Sequence, residues 1–234
     1  MNLIAPTAVI YPNVILGDDI RIDDYCVIGE SSGEGASRKP LEIGSGSHIR
    51  SHSVIYAGAT LKDHVSTGHH AVIRSNSILG KGASLGSFSS VDEDVSIGEY
   101  TRIHGYSQIG KGSIIGRFCW IYSLVTLTND PLPPSFIFRP VLIGDMVTVS
   151  VGAQILPDIK IGSGSFISAS SLVTEDVPEG MVVDGKPASV VGRVKHMVHF
   201  ETGTAHPWSK HFLSFYPKTV HEDINRMSKA IYGL

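Results

Sequence analysis

A period of six residues constrains this chain more than any other feature. An aliphatic residue returns at every sixth place from Ile4 to Ile28, from Ile43 to Leu127 and from Ile143 to Val173. Of the 26 slots, 25 hold Ile, Leu or Val, although these types supply only 61 of the 234 residues. Thr67 is the exception. Four places after each aliphatic stands a mostly small or β-branched residue, such as Ser47, Ala59, Val65, Ser77 or Ser89. Glycine commonly follows the aliphatic directly, as at Gly44, Gly80, Gly98 and Gly116. Helices repeat at 3.6 and half-buried strands at 2.0, so a beat of six requires a very short strand ended by a sharp corner, many times over. The pattern predicts an all-β fold, a parallel β-solenoid in which three hexads close one triangular coil of about 18 residues. Coils stacked about 4.8 Å apart make eight to nine turns and a prism roughly 40 Å long. The aliphatics and the small residues four later point inward, with Gly and Asn at corners that need positive φ. Cys26 and Cys119 share the small inward phase and read as core residues.

Two excursions break the beat. Residues 30–41, with the run Ser31-Ser32-Gly33-Glu34-Gly35, form a surface loop. Residues 128–142 carry Pro131, Pro133, Pro134 and Pro140, and about ten of them must leave the prism as a stiff loop, where function concentrates. The solenoid therefore spans 1–180, and 181–234 is a closing segment and tail. Ile224, Met227 and Ile231 at helical spacing predict a short helix covering the end of the solenoid.

Composition narrows the functions. Nineteen Lys and Arg against 22 Asp and Glu give a net charge of -3, which is not the basic balance of wholesale nucleic-acid binding. No apolar run reaches the roughly 18 residues of a membrane span, and no Lys or Arg precedes Arg21, so no membrane insertion and a cytoplasmic location are expected. From Arg193 onward six basic residues face three acidic ones, a local +3 suited to an anionic ligand.

A narrow solenoid fills its interior with side chains, so chemistry belongs on its outer walls. The six histidines from His48 to His104 all avoid the inward phases. His104 lies 25 residues before Asn129, about 7 Å along the axis, where an imidazole would meet the root of the Pro-rich loop. His69 and His70 stand beside Thr67, the slot that breaks the repeat, about 16 Å in height from Asn129.

The hexads, the Asn129-Asp130-Pro131 loop and the closing Gly185-Lys186-Pro187-Ala188 resemble the left-handed β-helix hexapeptide-repeat acyltransferases over about residues 1–195. Within them, Leu127-Thr128-Asn129-Asp130 with a Pro-rich continuation is similar to the nucleotide-sugar N-acetyltransferases, although Pro131-Leu132-Pro133-Pro134 stands where a basic residue, an aromatic and a proline are usual. The resemblance implies a left-handed coil, a homotrimer with clefts between neighbouring prisms, and acetyl-CoA as co-substrate. The acceptor would be a small-molecule sugar amine in surface-polysaccharide synthesis. His104 or His69 would accept a proton, Asn129 would position the acceptor or polarise the carbonyl, and Asp130, His70 and Arg74 would contact the acceptor. Ala153 and Ser171 would flank the pantetheine arm, with Lys186, Pro187 and Arg193 near the CoA phosphates. Three other readings stay open: O-acetylation of a hydroxyl, a non-catalytic scaffold, and a metalloenzyme similar to the hexapeptide-type carbonic anhydrases. For the last, His64 and His69 are five apart, but no histidine precedes His48, and no metal is expected.

Overall fold

The computed structural model describes every residue except 32, 34–38, 199–200, 202, 204–211 and 234. Most of the first excursion, and Trp208 in the tail, thus lie outside the described residues. The rest is a β-solenoid of three parallel walls, 11, nine and eight strands tall. Each coil runs through the first wall (for example Ser66–Thr67), the second (Val72–Ile73) and the third (Ile78–Leu79), then stacks on its successor with a register of 18 residues, Ser66 beside Ser84 and Val72 beside Ser90. The first wall is taller than the predicted eight to nine coils because the closing strand Met181–Gly185 pairs in parallel with Phe166–Ile167, and Ala188–Arg193 then folds back antiparallel.

The interior is as the hexad demands. Ile28, Ile49, Ile55, Ile73, Val91 and Ile121 are fully buried, together with Cys26 and Cys119. Burial pushes the Cys119 thiol up to about 12 and raises that of Cys26, so neither is a nucleophile at neutral pH. The small inward residues also serve the backbone. Ser89 Oγ donates to the His104 carbonyl at 2.9 Å and accepts the Ser107 N–H at 3.1 Å, and Ser77 and Thr101 bridge the next coil in the same way. A hydroxyl there satisfies corner groups that the strands leave unpaired. Ser171 Oγ has no partner among the described residues, because the chain leaves the coil for the closing hairpin where the next rung would have supplied one.

The corners meet the expectation in part, with positive φ at Gly46, Gly58, Gly82, Gly112, Gly152, Gly164 and Asn76. The positive-φ position is third after the aliphatic, and large side chains occupy many of these positions: Tyr25, His52, His64, His70, Phe88, Tyr100, Tyr106 and Phe118. Between the first and second walls they form a ladder, Tyr25, His52, His70, Phe88 and Tyr106, with ring centroids 5.0, 4.6, 4.7 and 5.1 Å apart. Each contact of this kind contributes about 0.5–1.5 kcal/mol, comparable to the left-handed penalty of roughly 1–2 kcal/mol per residue. Glycine after the aliphatic has a different cause. A Cβ on Gly44 would press on the Lys62 and Asp63 backbone, and one on Gly86 would collide with the backbone of His104 and Gly105.

The predicted helix is present as α1 (His221–Tyr232), but it straps the side of the prism instead of covering its end. Its buried face, Ile224, Ser228 and Tyr232, lies against the corner between the third and first walls. There Phe118, Met146, Tyr216 and Ile224 form a second small core, Trp120 Nε1 donates to Tyr216 Oη at 2.8 Å, and Tyr232 Oη donates to the Gly164 carbonyl at 3.0 Å.

Candidate active site

Outward side chains of one wall form vertical columns, because strands stack in register every 18 residues. On the first wall the column just after the inward aliphatic reads Arg50, Gly68, Gly86, His104 and Tyr122 over successive rungs. The column just before it reads His48, Ser66, Ser84, Arg102 and Trp120. Two consecutive rungs with only Ser and Gly outside therefore leave a notch between larger neighbours. This notch is a cleft of about 420 Å³ floored by Ser66, Gly68, Ser84 and Gly86, with Arg50 at one end and Arg102 and His104 at the other. Arg50 and His104 are three rungs apart, about 14 Å.

His104 is half-buried and stacks on Tyr122 at 4.7 Å. Burial first, and the Arg102 charge second, hold its imidazole below the ordinary 6.5, so it is neutral and basic at neutral pH. Arg102 is fixed from behind: its guanidinium donates to the Phe215 carbonyl at 2.6 Å and lies over the Trp120, Phe215 and Tyr216 rings at 5.0–5.5 Å. His69 lines the same cleft from an exposed position, its Nδ1 2.8 Å from Ser51 Oγ. Two rungs separate it from His104, about 10 Å, so the two imidazoles do not meet on one atom. Thr67 breaks the hexad for a hydrogen-bonding reason. Its hydroxyl accepts the Arg50 N–H at 3.0 Å, which leaves its carbonyl to take Arg50 Nη1 at 2.7 Å and tether that guanidinium at the cleft rim.

The expected meeting of His104 with the loop root does not occur within one chain. Asn129 lies on the second wall, above Gly110, and lines a separate cleft of about 520 Å³ with Asp92, Gln108, Asp130 and Pro133. Asp130 is used by its own loop: it accepts from Leu132 N, Ser135 N and Ser135 Oγ at 2.6–3.0 Å, and the Ser135 hydroxyl chiefly lowers its pKa. Arg139 N closes the loop neck on the Asn129 carbonyl at 2.8 Å. Arg74 is paired with Glu93 at 2.6 Å, and His70 has both ring faces covered by His52 and Phe88. Ala153 and Ser171 point their side chains into the prism, where both are buried, which leaves the backbone around them to face a ligand arm. Lys186, Pro187 and Arg193 are exposed on the closing hairpin, whose two strands are four and five rungs above His104, about 19 and 24 Å along the first wall. His64 and His69 flank opposite ends of one strand, and among the described residues no three His, Cys, Asp or Glu side chains gather as a metal site.

No family model matches the chain. It is 39% identical over 70 residues to a protein of Bacillus subtilis named putative acetyltransferase YvoF, covering 30% of this chain and 41% of that protein. It is also 47% identical over 62 residues to the 2,3,4,5-tetrahydropyridine-2,6-dicarboxylate N-acetyltransferase of Clostridium perfringens, 26% of this chain and 25% of that one. Over these stretches the chain is similar to proteins named as acetyltransferases. Its matched stretches span less than half the length of these curated relatives. Among solved structures, it is similar to the polySia specific acetyltransferase NeuO, with TM-score 0.44 and 20% identity over 77% of this chain and 82% of that one. It is also similar to PerB of Caulobacter crescentus, solved with CoA and GDP-perosamine, with TM-score 0.34 and 20% identity over 82% and 57%. Among the described residues no helix is long and apolar enough to cross a membrane.

Arg50, Ser66, Ser84, Gly86 and Arg102 were not among the residues singled out from the sequence. The signal for them is columnar: small outward residues recur at a spacing of 18 between two arginine-bearing rungs.

Proposed function

We propose that the chain is an acetyl-CoA-dependent acetyltransferase acting on the amine of an amino-deoxysugar, with His104 as the proton acceptor. The carrying observation is a half-buried imidazole, kept neutral, at the end of a cleft in a rigid wall. The acceptor nitrogen attacks the acetyl carbonyl carbon, a C–N bond forms and the C–S bond breaks. The proton lost by nitrogen passes to His104 and from there to the departing thiolate. His69, exposed and two rungs away, is assigned to acceptor binding. Lys186 and Arg193 stand at a distance along the wall that suits the phosphates of a long co-substrate whose thioester lies at His104.

Asn129 faces another wall, so its part in the reaction requires a second copy, which supports a homotrimer. The loop that carries it offers an apolar tip for such a contact, Leu132, Phe136 and Ile137 being exposed. A cytoplasmic setting, where acetyl-CoA is made, fits this reading. O-acetylation uses the same base. Steady-state assays with acetyl-CoA separate the two: amino sugars should turn over, and their N-acetylated counterparts, which keep only hydroxyls, should not. His104→Ala should lower kcat/KM by about 10²–10⁴-fold. Unchanged turnover in that variant would remove the assigned base.

A further inference from the structure

We propose that the acceptor carries an anionic group, a phosphate or a carboxylate, and that Arg50 binds it at the end of the notch opposite His104. This inference rests on the acetyltransferase reading for the place of the reacting nitrogen, but the anion site stands on its own geometry. The residues that line the cleft include two arginines, two histidines and three serines, and no Asp or Glu, on a chain whose net charge is -3. So local an inversion of sign in a concave site attracts an anion.

The two arginines are not equivalent. Arg102 is committed to the tail through the Phe215 carbonyl and three aromatic rings, so its charge acts on His104 from a fixed place. Among the described residues the Arg50 guanidinium is held at one nitrogen, by the Thr67 carbonyl, and a guanidinium has further N–H donors in a fork that fits two oxygens. The acidic neighbour one rung away, Asp23, is engaged by Arg21 at 2.8 Å and His48 at 3.0 Å, which spares Arg50 from neutralisation. His69 and Ser66 stand between, able to meet sugar hydroxyls. About 14 Å from Arg50 to His104 sets the acceptor's length: an amino sugar whose charged substituent lies well away from the reacting nitrogen.

The test uses the full chain and three acceptors: glucosamine, glucosamine 6-phosphate and 2-amino-2-deoxyglucuronic acid, the last two carrying their charge across the ring from the amine. Either charged acceptor, or both, should exceed glucosamine in kcat/KM, and which one does so identifies the anion. Arg50→Gln should raise KM for that acceptor by roughly 10- to 100-fold. The rise should be much larger for that acceptor than for uncharged glucosamine, and it should fall on the acceptor's KM and not on that of acetyl-CoA. Ser84→Asp, which places a carboxylate on the notch floor without touching the Arg50 tether, should weaken the same acceptor. Equal use of all three acceptors, or a raised KM for acetyl-CoA instead of the sugar, would overturn the proposal. If no acceptor is acetylated, the transferase reading fails, and calorimetric titration of the two charged sugars still decides the anion site. Binding that Arg50→Gln abolishes keeps it, and binding that persists in the variant, or no binding at all, removes it.

Discussion

His104 sits where two effects act in one direction. Burial removes water from the imidazolium, and Arg102 repels it, so the folded protein disfavours the protonated form. A base works in its neutral form, and its fraction falls only as pH drops through the lowered pKa. The acid limb of kcat/KM should therefore lie below the ordinary imidazole value of 6.5. Arg102→Gln removes the smaller cause and leaves burial, so the limb should move up, toward that value but not past it, in a pH-rate profile with saturating acetyl-CoA. A limb that stays in place would show that Arg102 is not felt at the imidazole. Sequence spacing pointed to His104, but not to what tunes it. The guanidinium is anchored by Phe215, 113 residues away, and no local pattern joins those positions.

At the scale of the coil, glycines against a neighbouring rung and glycines facing open space give opposite outcomes for the same substitution. Gly86 lies flat against the next rung, where a Cβ would run into the His104 and Gly105 backbone, atoms that cannot swing aside. Gly192, in the closing hairpin, has open space where its Cβ would go and an ordinary φ. Gly86→Ala should cost about 2 kcal/mol or more, and Gly192→Ala less than about 0.5 kcal/mol, as read by urea titration. The hexad made the interior legible, down to the inward phases and both cysteines, because burial imposes one rule on all three walls. It made the corners legible only in part. Several glycines and Asn76 hold the positive-φ position as expected, but large aromatic side chains hold it at other corners, and the glycine directly after the aliphatic answers the stacking distance instead. The cleft was hidden for a related reason: a beat of six mixes three walls, and only every third hexad belongs to the same face.

For the whole molecule, the separation of His104 and Asn129 onto different walls is the fact with the largest consequence. Each chain holds both residues but cannot bring them together, so the proposed site takes His104 from one copy and the loop from its neighbour. The helix α1 does not supply the missing piece, since it lies against Phe118 and Met146 on the corner between the third and first walls. A shared site has a signature that no single-chain site can imitate. His104→Ala and Asn129→Ala should each be nearly inactive alone. Mixed in equal amounts, dissociated and reassembled, they should regain activity, because a site formed by His104 from an Asn129→Ala chain and Asn129 from a His104→Ala chain is intact. Random assembly makes about one site in four of this kind, so about a quarter of the wild-type rate is expected. Light scattering should report a trimer for wild type, and Phe136→Asp, which charges the exposed loop tip, should lower both the mass and the regained activity. Mixtures no more active than their parts, although trimeric, would place the loop outside the reaction and leave His104 to work within its own chain.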